Sequence, residues 1–236
     1  MNVGAEQSTT TVRIIKLSVS NERCFITGCD SNTEWMLKWF LKNYVKHNKT
    51  PIVFCDFGVT QEMRSWIYQV SEFATVIDPP KMKVGGWFYK PTALLASPCI
   101  ETCWLDTDIH VLGDLSGIFK YVEDNKLGMV EDKPWSKRRG EKWHNSGVVA
   151  IRYKPPILHK WANECRGNPK VGDQEVLHEM VRINPMMRMM HISDIPNIYN
   201  WLRLQLVDGQ DNPNKLCMHW TGSKGKDQIR KIMYNE

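Results

Sequence analysis

Apolar positions along the chain keep two rhythms, short continuous runs and stretches with helical spacing. The run Arg23-Cys24-Phe25-Ile26-Thr27-Gly28 predicts a buried strand that stops at a glycine turn. Ser31-Asn32-Thr33-Glu34 then reads as a capping box for a helix whose apolar face is Trp35, Met36, Trp39, Phe40 and Tyr44. Ile52-Val53-Phe54-Cys55 predicts a second strand, closed by Asp56-Phe57-Gly58, and Met63, Trp66, Ile67 and Val70 mark another amphipathic helix. Ala74 to Ile77 is a third strand, stopped by Asp78-Pro79-Pro80. Pro91 opens a short helix through Leu95, and an apolar strand follows from Ile100 to Leu105. Further on, the pattern gives short strands at Leu127 to Val130 and Val148 to Arg152 and a helix from Pro155 to Cys165. Val12 to Val19 reads as a β-rich run of edge-strand type, behind a polar tail over residues 1–11.

Strands alternating with helices through short connections imply an α/β fold, with a mostly parallel central sheet covered by helices on both faces. Ligands of such sheets sit at the carboxyl ends of the strands. Thr27-Gly28-Cys29-Asp30, Asp56-Phe57-Gly58 and Asp106-Thr107-Asp108 all fall there, which puts three polar turns on one rim. With 236 residues and no linker or repeat, residues 12–236 are expected to form a single domain.

Composition narrows the class. Seven cysteines match no zinc-site spacing, and no secretory leader is read, so they are expected to be reduced and buried in a cytoplasmic protein. No apolar stretch approaches the roughly 20 residues of a membrane span. A net charge of +5 permits an anionic partner without requiring one.

The chemistry concentrates where the run Ile100 to Leu105 ends in Asp106-Thr107-Asp108. In extended chain, two carboxylates one residue apart point the same way, at roughly 6–7 Å between Cα atoms. Hard oxygen donors at the end of a buried strand suit a divalent cation that also holds phosphates. Alone, such a pair is commonly a solvated turn, and Lys90, Asn145-Ser146-Gly147, Asp173-Gln174 and His219 each have an ordinary structural reading. Their order along the chain is what gives them weight.

That order resembles the GT-A glycosyltransferases, and within them the group of glycogenin and the lipopolysaccharide galactosyltransferases, glycosyltransferase family 8. It runs from a strand and Asp-x-Asp to Asn-x-Gly, Asp-Gln and a late His-x-x-Gly with lysines. The resemblance spans about Phe25 to Lys226. It implies one Rossmann-like GT-A domain, a nucleotide-sugar donor such as a UDP-sugar, and manganese or magnesium. Carried over by position, Asp106, Asp108 and His219 would hold the metal. Lys224 or Lys226 would contact the diphosphate, with Gly222 in the same motif. Lys90 would stand beside the donor, with Thr107 inside the metal motif. Asn145 and Gly147 would line the sugar, and Thr27, Gly28 and Asp56 would lie near base and ribose. Asp173 and Gln174 would face the anomeric carbon and be catalytic. The family's lysine usually falls six residues after the histidine, whereas here lysines fall five and seven after it, so both stay open. If configuration is retained, Gln174 would stabilise an oxocarbenium-like transition state. If it is inverted, Asp173 or Glu175 would take the acceptor proton.

A nucleotidyltransferase would share the sheet and the paired aspartates, but Thr27-Gly28-Cys29-Asp30 is too acidic for its usual phosphate loop. A nucleotide-sugar-binding protein without turnover is the non-enzymatic alternative. The acceptor is not named by these residues. Lys133 to His144 holds five Lys or Arg and two Trp in twelve residues and is expected to hang over the sugar site as a mobile loop. It would be either a lid or an acceptor grip made by Trp135, Lys137, Arg138, Arg139 and Trp143. In the second case a modified base in DNA is the candidate acceptor.

Overall fold

The computed structural model describes residues 22–82, 84–167, 169–182 and 184–235. The strand expected at Val12 to Val19 and the tail before it lie outside these. Among the described residues there are ten strands: β1 (Arg23–Cys29), β2 (Ile52–Asp56), β3 (Phe73–Ile77), β4 (Glu101–Leu105), β5 (Ile109–Val111), β6 (Leu127–Glu131), β7 (His144–Arg152), β8 (Ile192–Ile195), β9 (Trp201–Leu202) and β10 (Cys217–His219). The same described residues hold nine α-helices: α1 (Leu37–His47), α2 (Gln61–Gln69), α3 (Lys90–Ala96), α4 (Lys133–Arg139), α5 (Pro156–Arg166), α6 (Asp173–Val181), α7 (Pro185–His191), α8 (Arg203–Val207) and α9 (Gly222–Asn235).

Seven strands form the central sheet in the order β3-β2-β1-β4-β7-β6-β8. Only β7 runs against the rest, antiparallel to both β4 and β6. Strands β5, β10 and β9 form a small second sheet. Alternate residues of each central strand enter different cores. Phe25, Phe54, Cys103 and Ala150 pack against α1 and α2 through Phe40, Tyr44, Met63 and Ile67. Cys24, Ile26, Val53, Trp104 and Val149 face the other way, against Leu94 of α3, Trp161 of α5 and Leu177 of α6. Burial on both faces is why these strands read as continuous apolar runs. All seven cysteines are buried and unpaired. Among the described residues, no helix is long and apolar enough to cross a membrane.

Two expectations are corrected. The capping box at Ser31-Asn32-Thr33-Glu34 does not form. The Asp30 carboxylate takes the Asn32 amide (3.1 Å) and the Thr33 hydroxyl (2.9 Å). Glu34 instead accepts from the Thr60 amide and hydroxyl, both at 2.7 Å. Of the expected mobile loop over 133–144, residues 133–139 are the helix α4, because Asp132 caps it by accepting the Trp135 amide and Pro134 sits in its first turn. Trp143 is buried, stacked on His178 at 3.5 Å between ring centroids.

Candidate functional site

Strands β1, β2 and β4 end together, and the segments leaving them build a cleft on that rim. Leu105 closes β4, Asp106-Thr107-Asp108 turns, and Ile109 begins β5. The turn rather than an extended strand therefore sets the two carboxylates, yet they still converge. One ligand atom from each of Asp106, Asp108 and His219 lies within 4.8 Å of the others. His219 arrives from the last residue of β10, which pairs with β5 in register His219↔Ile109. Its Nε2 is 3.0 Å from Asp108 and 3.7 Å from Asp106. Burial by itself would lower the His219 pKa and raise that of Asp108. Their mutual attraction outweighs burial, assisted at Asp108 by Lys226 and Lys90, so His219 is raised and Asp108 lowered.

Lys90 is only 2% exposed. It starts α3, and its ammonium meets Asp106 and Asp173, each at 3.1 Å, and the Ser146 hydroxyl at 3.1 Å. Burial would lower its pKa, but the two carboxylates outweigh that and hold it above the usual lysine value. The Trp104 indole N–H donates to Asp106 at 2.6 Å. Asp106 thus accepts from one wall of the cleft while turning toward His219 on the other.

Asn145, Ser146 and Gly147 sit where β7 begins, on the same rim only because β7 is reversed. A bulge there displaces them from regular pairing, since Met129 pairs with Val149 but Val130 pairs with Asn145. Gln174 Oε1 accepts from Asn145 Nδ2 (3.0 Å) and the Ser146 amide (3.2 Å). Asn145 Oδ1 accepts from the Gly147 amide (2.9 Å) and from Asn200 Nδ2 (2.9 Å), and Asn200 Oδ1 bonds His219 Nδ1 at 3.0 Å. Asp132 accepts from Asn145 Nδ2 at 3.3 Å besides capping α4.

Two adjoining cavities share Trp87, Lys90, Asp106 and Asp108. The first, of 380 Å³, lies toward Gly28, Asp30, Asn32, Phe57, Trp104 and Lys226. The second, of 500 Å³, lies toward Asn145, Gly147, Gln174, Trp135, Arg203 and Gly222. The structure therefore brings together Gly28, Lys90, Asp106, Thr107, Asp108, Asn145, Gly147, Asp173, Gln174, His219, Gly222 and Lys226. Lys224 is exposed and lines neither cavity, whereas Lys226 does. Thr27 is buried and donates to Leu105 O (2.8 Å). Asp56 takes the Gly58 and Val59 amides and an ion pair from Arg64, facing a separate cavity behind Phe57. On α4, Lys137, Arg138 and Arg139 are exposed, with Arg138 3.8 Å from Asp208 and Arg139 over the Trp135 ring.

Sequence reasoning missed Trp104, Asp132 and Asn200, and it named Asp30 and Ser146 only within their turns, without a role of their own. Asp132 had a signal, a carboxylate two residues before a proline. Asn200 had a fainter one, an amide inside the aromatic run Tyr199-Asn200-Trp201.

The three ligands fit a divalent cation. Two carboxylates and one imidazole converge, the imidazole is anchored through its other nitrogen, and a buried lysine balances the acidic charge. The fold is one that solved glycosyltransferases share. The solved structures it resembles include apo GlyE, a glycosyltransferase of Streptococcus pneumoniae TIGR4, at TM-score 0.62 and 20% identity over 86% of this chain and 55% of that one. LgtC, in a form with an active-site glutamine changed to glutamate, matches at TM-score 0.58 and 12% identity over 90% of this chain and 95% of that one. Mouse xyloside xylosyltransferase 1 matches at TM-score 0.52 and 11% identity over 84% and 96%. The chain thus spans about half the length of GlyE and nearly all of LgtC. At these identities the likeness is one of fold. The sequence matches no family model and no curated protein.

Proposed function

We propose that this protein is a metal-dependent glycosyltransferase that moves a hexose from a nucleotide-sugar, a UDP-sugar, to a hydroxyl acceptor with retention of configuration. The observation that carries this reading is the convergence of Asp106, Asp108 and His219 at the seam of two cavities, with Lys90 beside them and Gln174 beyond. The first cavity has the size and aromatic wall for a nucleoside, with Asp30 and Asn32 at its far end. The diphosphate belongs at the seam, where Lys226 supplies a cation next to Asp108. The sugar and acceptor belong in the second cavity.

Bound manganese or magnesium would supply charge for the departing diphosphate. Lys90 keeps Asp106 turned toward that place and offsets the charge of Asp173. Asp173, occupied by a buried ammonium, is poorly placed to accept an acceptor proton. That favours retention, as does the fixed side chain of Gln174 next to the sugar wall. LgtC likewise has a glutamine in its active site.

Thermal shift with a panel of nucleotide sugars, with and without manganese, tests the donor assignment. A UDP-sugar should raise the melting point only when metal is present. Absence of any metal-dependent shift across the panel would sink the reading. NMR of the product anomer decides retention.

The basic face of α4 favours a second reading of the acceptor as a modified base in DNA. Arg138 and Arg139 both have partners within the protein, which reduces what they offer a phosphate backbone. Neutralising Lys137, Arg138 and Arg139 together should weaken DNA binding and make its salt dependence shallower if DNA is the acceptor. A parent protein that never binds DNA ends that reading.

A further inference from the structure

Asn200 has no exposed surface, and neither of its polar ends is idle. The direction of its amide follows from a backbone group. Gly147 N–H donates to Asn145 Oδ1, so that oxygen is an acceptor. The end of Asn200 facing it at 2.9 Å must then be the NH₂. The Asn200 carbonyl therefore faces His219 Nδ1 at 3.0 Å, which requires Nδ1 to carry a hydrogen. Nε2 is left as the atom that meets Asp108 and Asp106.

We infer that Asn200 is a positioning residue joining the cation site to the donor-sugar wall. One end fixes the tautomer and ring angle of His219, and the other fixes the rotamer of Asn145. This rests on the metal-dependent reading above. The geometry is well suited to the task. Asn200 lies just before β9, which pairs with β10 in register His219↔Leu202, so the two backbones are held rigidly. Asn145 cannot rotate to compensate for a change at Asn200, because its own NH₂ is held by Gln174 and Asp132. A shift of Asn200 is thus felt both at the cation site and at the sugar wall.

The variants Asn200→Ala and Asn200→Asp separate the two ends. Alanine removes both contacts. Aspartate keeps an oxygen for Nδ1–H but sets an oxygen against Asn145 Oδ1. Manganese binding is read by electron paramagnetic resonance on the full chain, and UDP-sugar binding by titration at saturating manganese. Asn200→Ala should weaken manganese binding by roughly ten- to a hundred-fold, the usual effect of losing a partner behind a metal-binding histidine. Asn200→Asp should hold manganese within about threefold of wild type and weaken UDP-sugar binding about tenfold, since a paired acceptor has been turned into a repulsive one. A residue that merely supports the fold would lose both together in both variants. Should Asn200→Ala fail to fold, the split within Asn200→Asp is still diagnostic. Wild-type manganese affinity in Asn200→Ala, or equal loss of metal in both variants, would overturn the inference. His219→Ala is the control. If it binds manganese as wild type does, or wild type binds none, the metal reading fails and takes this inference with it. If it loses manganese while Asn200→Ala keeps it, only this inference fails.

Discussion

Gly147→Ala is the sharpest test of how closely the cation site is built. A β-carbon at Gly147 would stand 2.6 Å from His219 Nδ1, closer still to Cε1, and 2.9 Å from Asn145 Oδ1. Ordinary contact begins at 3.4 Å, so clearing Nδ1 alone takes 0.8 Å, the difference between 3.4 and 2.6, and clearing Cε1 takes more. It cannot do so freely, because Asn200 holds Nδ1 and the Gly147 carbonyl holds the Asp106 amide at 2.9 Å. A metal site tolerates about 0.2 Å of ligand displacement. Manganese affinity should therefore fall by at least about a hundred-fold, at the upper end of what loss of a supporting contact does. Overpacking should cost about 1–3 kcal/mol of stability. Both are measurable on the same sample, by manganese titration and by urea unfolding. The effects should not add to those of His219→Ala, since removing the ring removes the collision. In that background Gly147→Ala should cost less, since only the close contact with Asn145 Oδ1 remains. Unchanged manganese affinity in Gly147→Ala, or full additivity with His219→Ala, would refute the reasoning.

Other consequences follow from the same geometry. Lys90→Met leaves Asp173 buried beside no cation and should cost about 3–5 kcal/mol in urea unfolding; a loss under about 1 kcal/mol would show that the lysine is not holding the acidic pair. Gln174→Ala should lower turnover more than UDP-sugar affinity, because its contact matters most as positive charge develops on the sugar; an unchanged turnover number removes it from the mechanism. In chelator-treated protein, the His219–Asp108 pair should stabilise the fold in a defined pH window. His219 is raised from 6.5, so its contribution is complete below that value and is lost as pH climbs through the raised one; Asp108 is lowered from 3.8, so its contribution is complete above that value and is lost as pH falls through the lowered one. The melting-point difference between wild type and His219→Ala should thus be largest between 3.8 and 6.5. A flat difference from pH about 4 to 9 would contradict the pairing.

The strands were legible because burial on both faces writes itself as unbroken apolar runs, as in Cys24 to Thr27 and Cys103 to Leu105. The cleft was legible in part because its ligands come from short motifs at strand ends. What the sequence concealed was competition between local and distant partners. Ser31 to Glu34 has the letters of a capping box, yet Glu34 is claimed by Thr60, 26 residues away. Lys133 to His144 looks like a solvated basic loop, but one carboxylate, Asp132, is enough to cap residues 133–139 into helix. Asn200 and Ser146 are ordinary polar residues until β9 and the β7 bulge bring them to His219 and Lys90. The choice between Lys224 and Lys226 depended on the phase of α9, which places the first in solvent and the second against the cleft.

The reversal of β7 divides the cleft into a stiff wall and a compliant one. Parallel strands contribute to their rim only the turns that leave them, such as Asp30 to Asn32 and Asp106 to Asp108. An antiparallel strand contributes its own opening residues, clamped between two neighbours, with Asn145 paired to Val130 and Val148 to Leu105. Loops can lengthen, shorten or drift with little penalty, but the bulge at Asn145 to Gly147 is held at Asn145 by β6 and at Val148 by β4. If the cleft holds a nucleotide-sugar as proposed, relaxed tolerance for the nucleoside would arise by changing turns, and a different sugar would be accommodated by exchanging side chains on the tethered bulge.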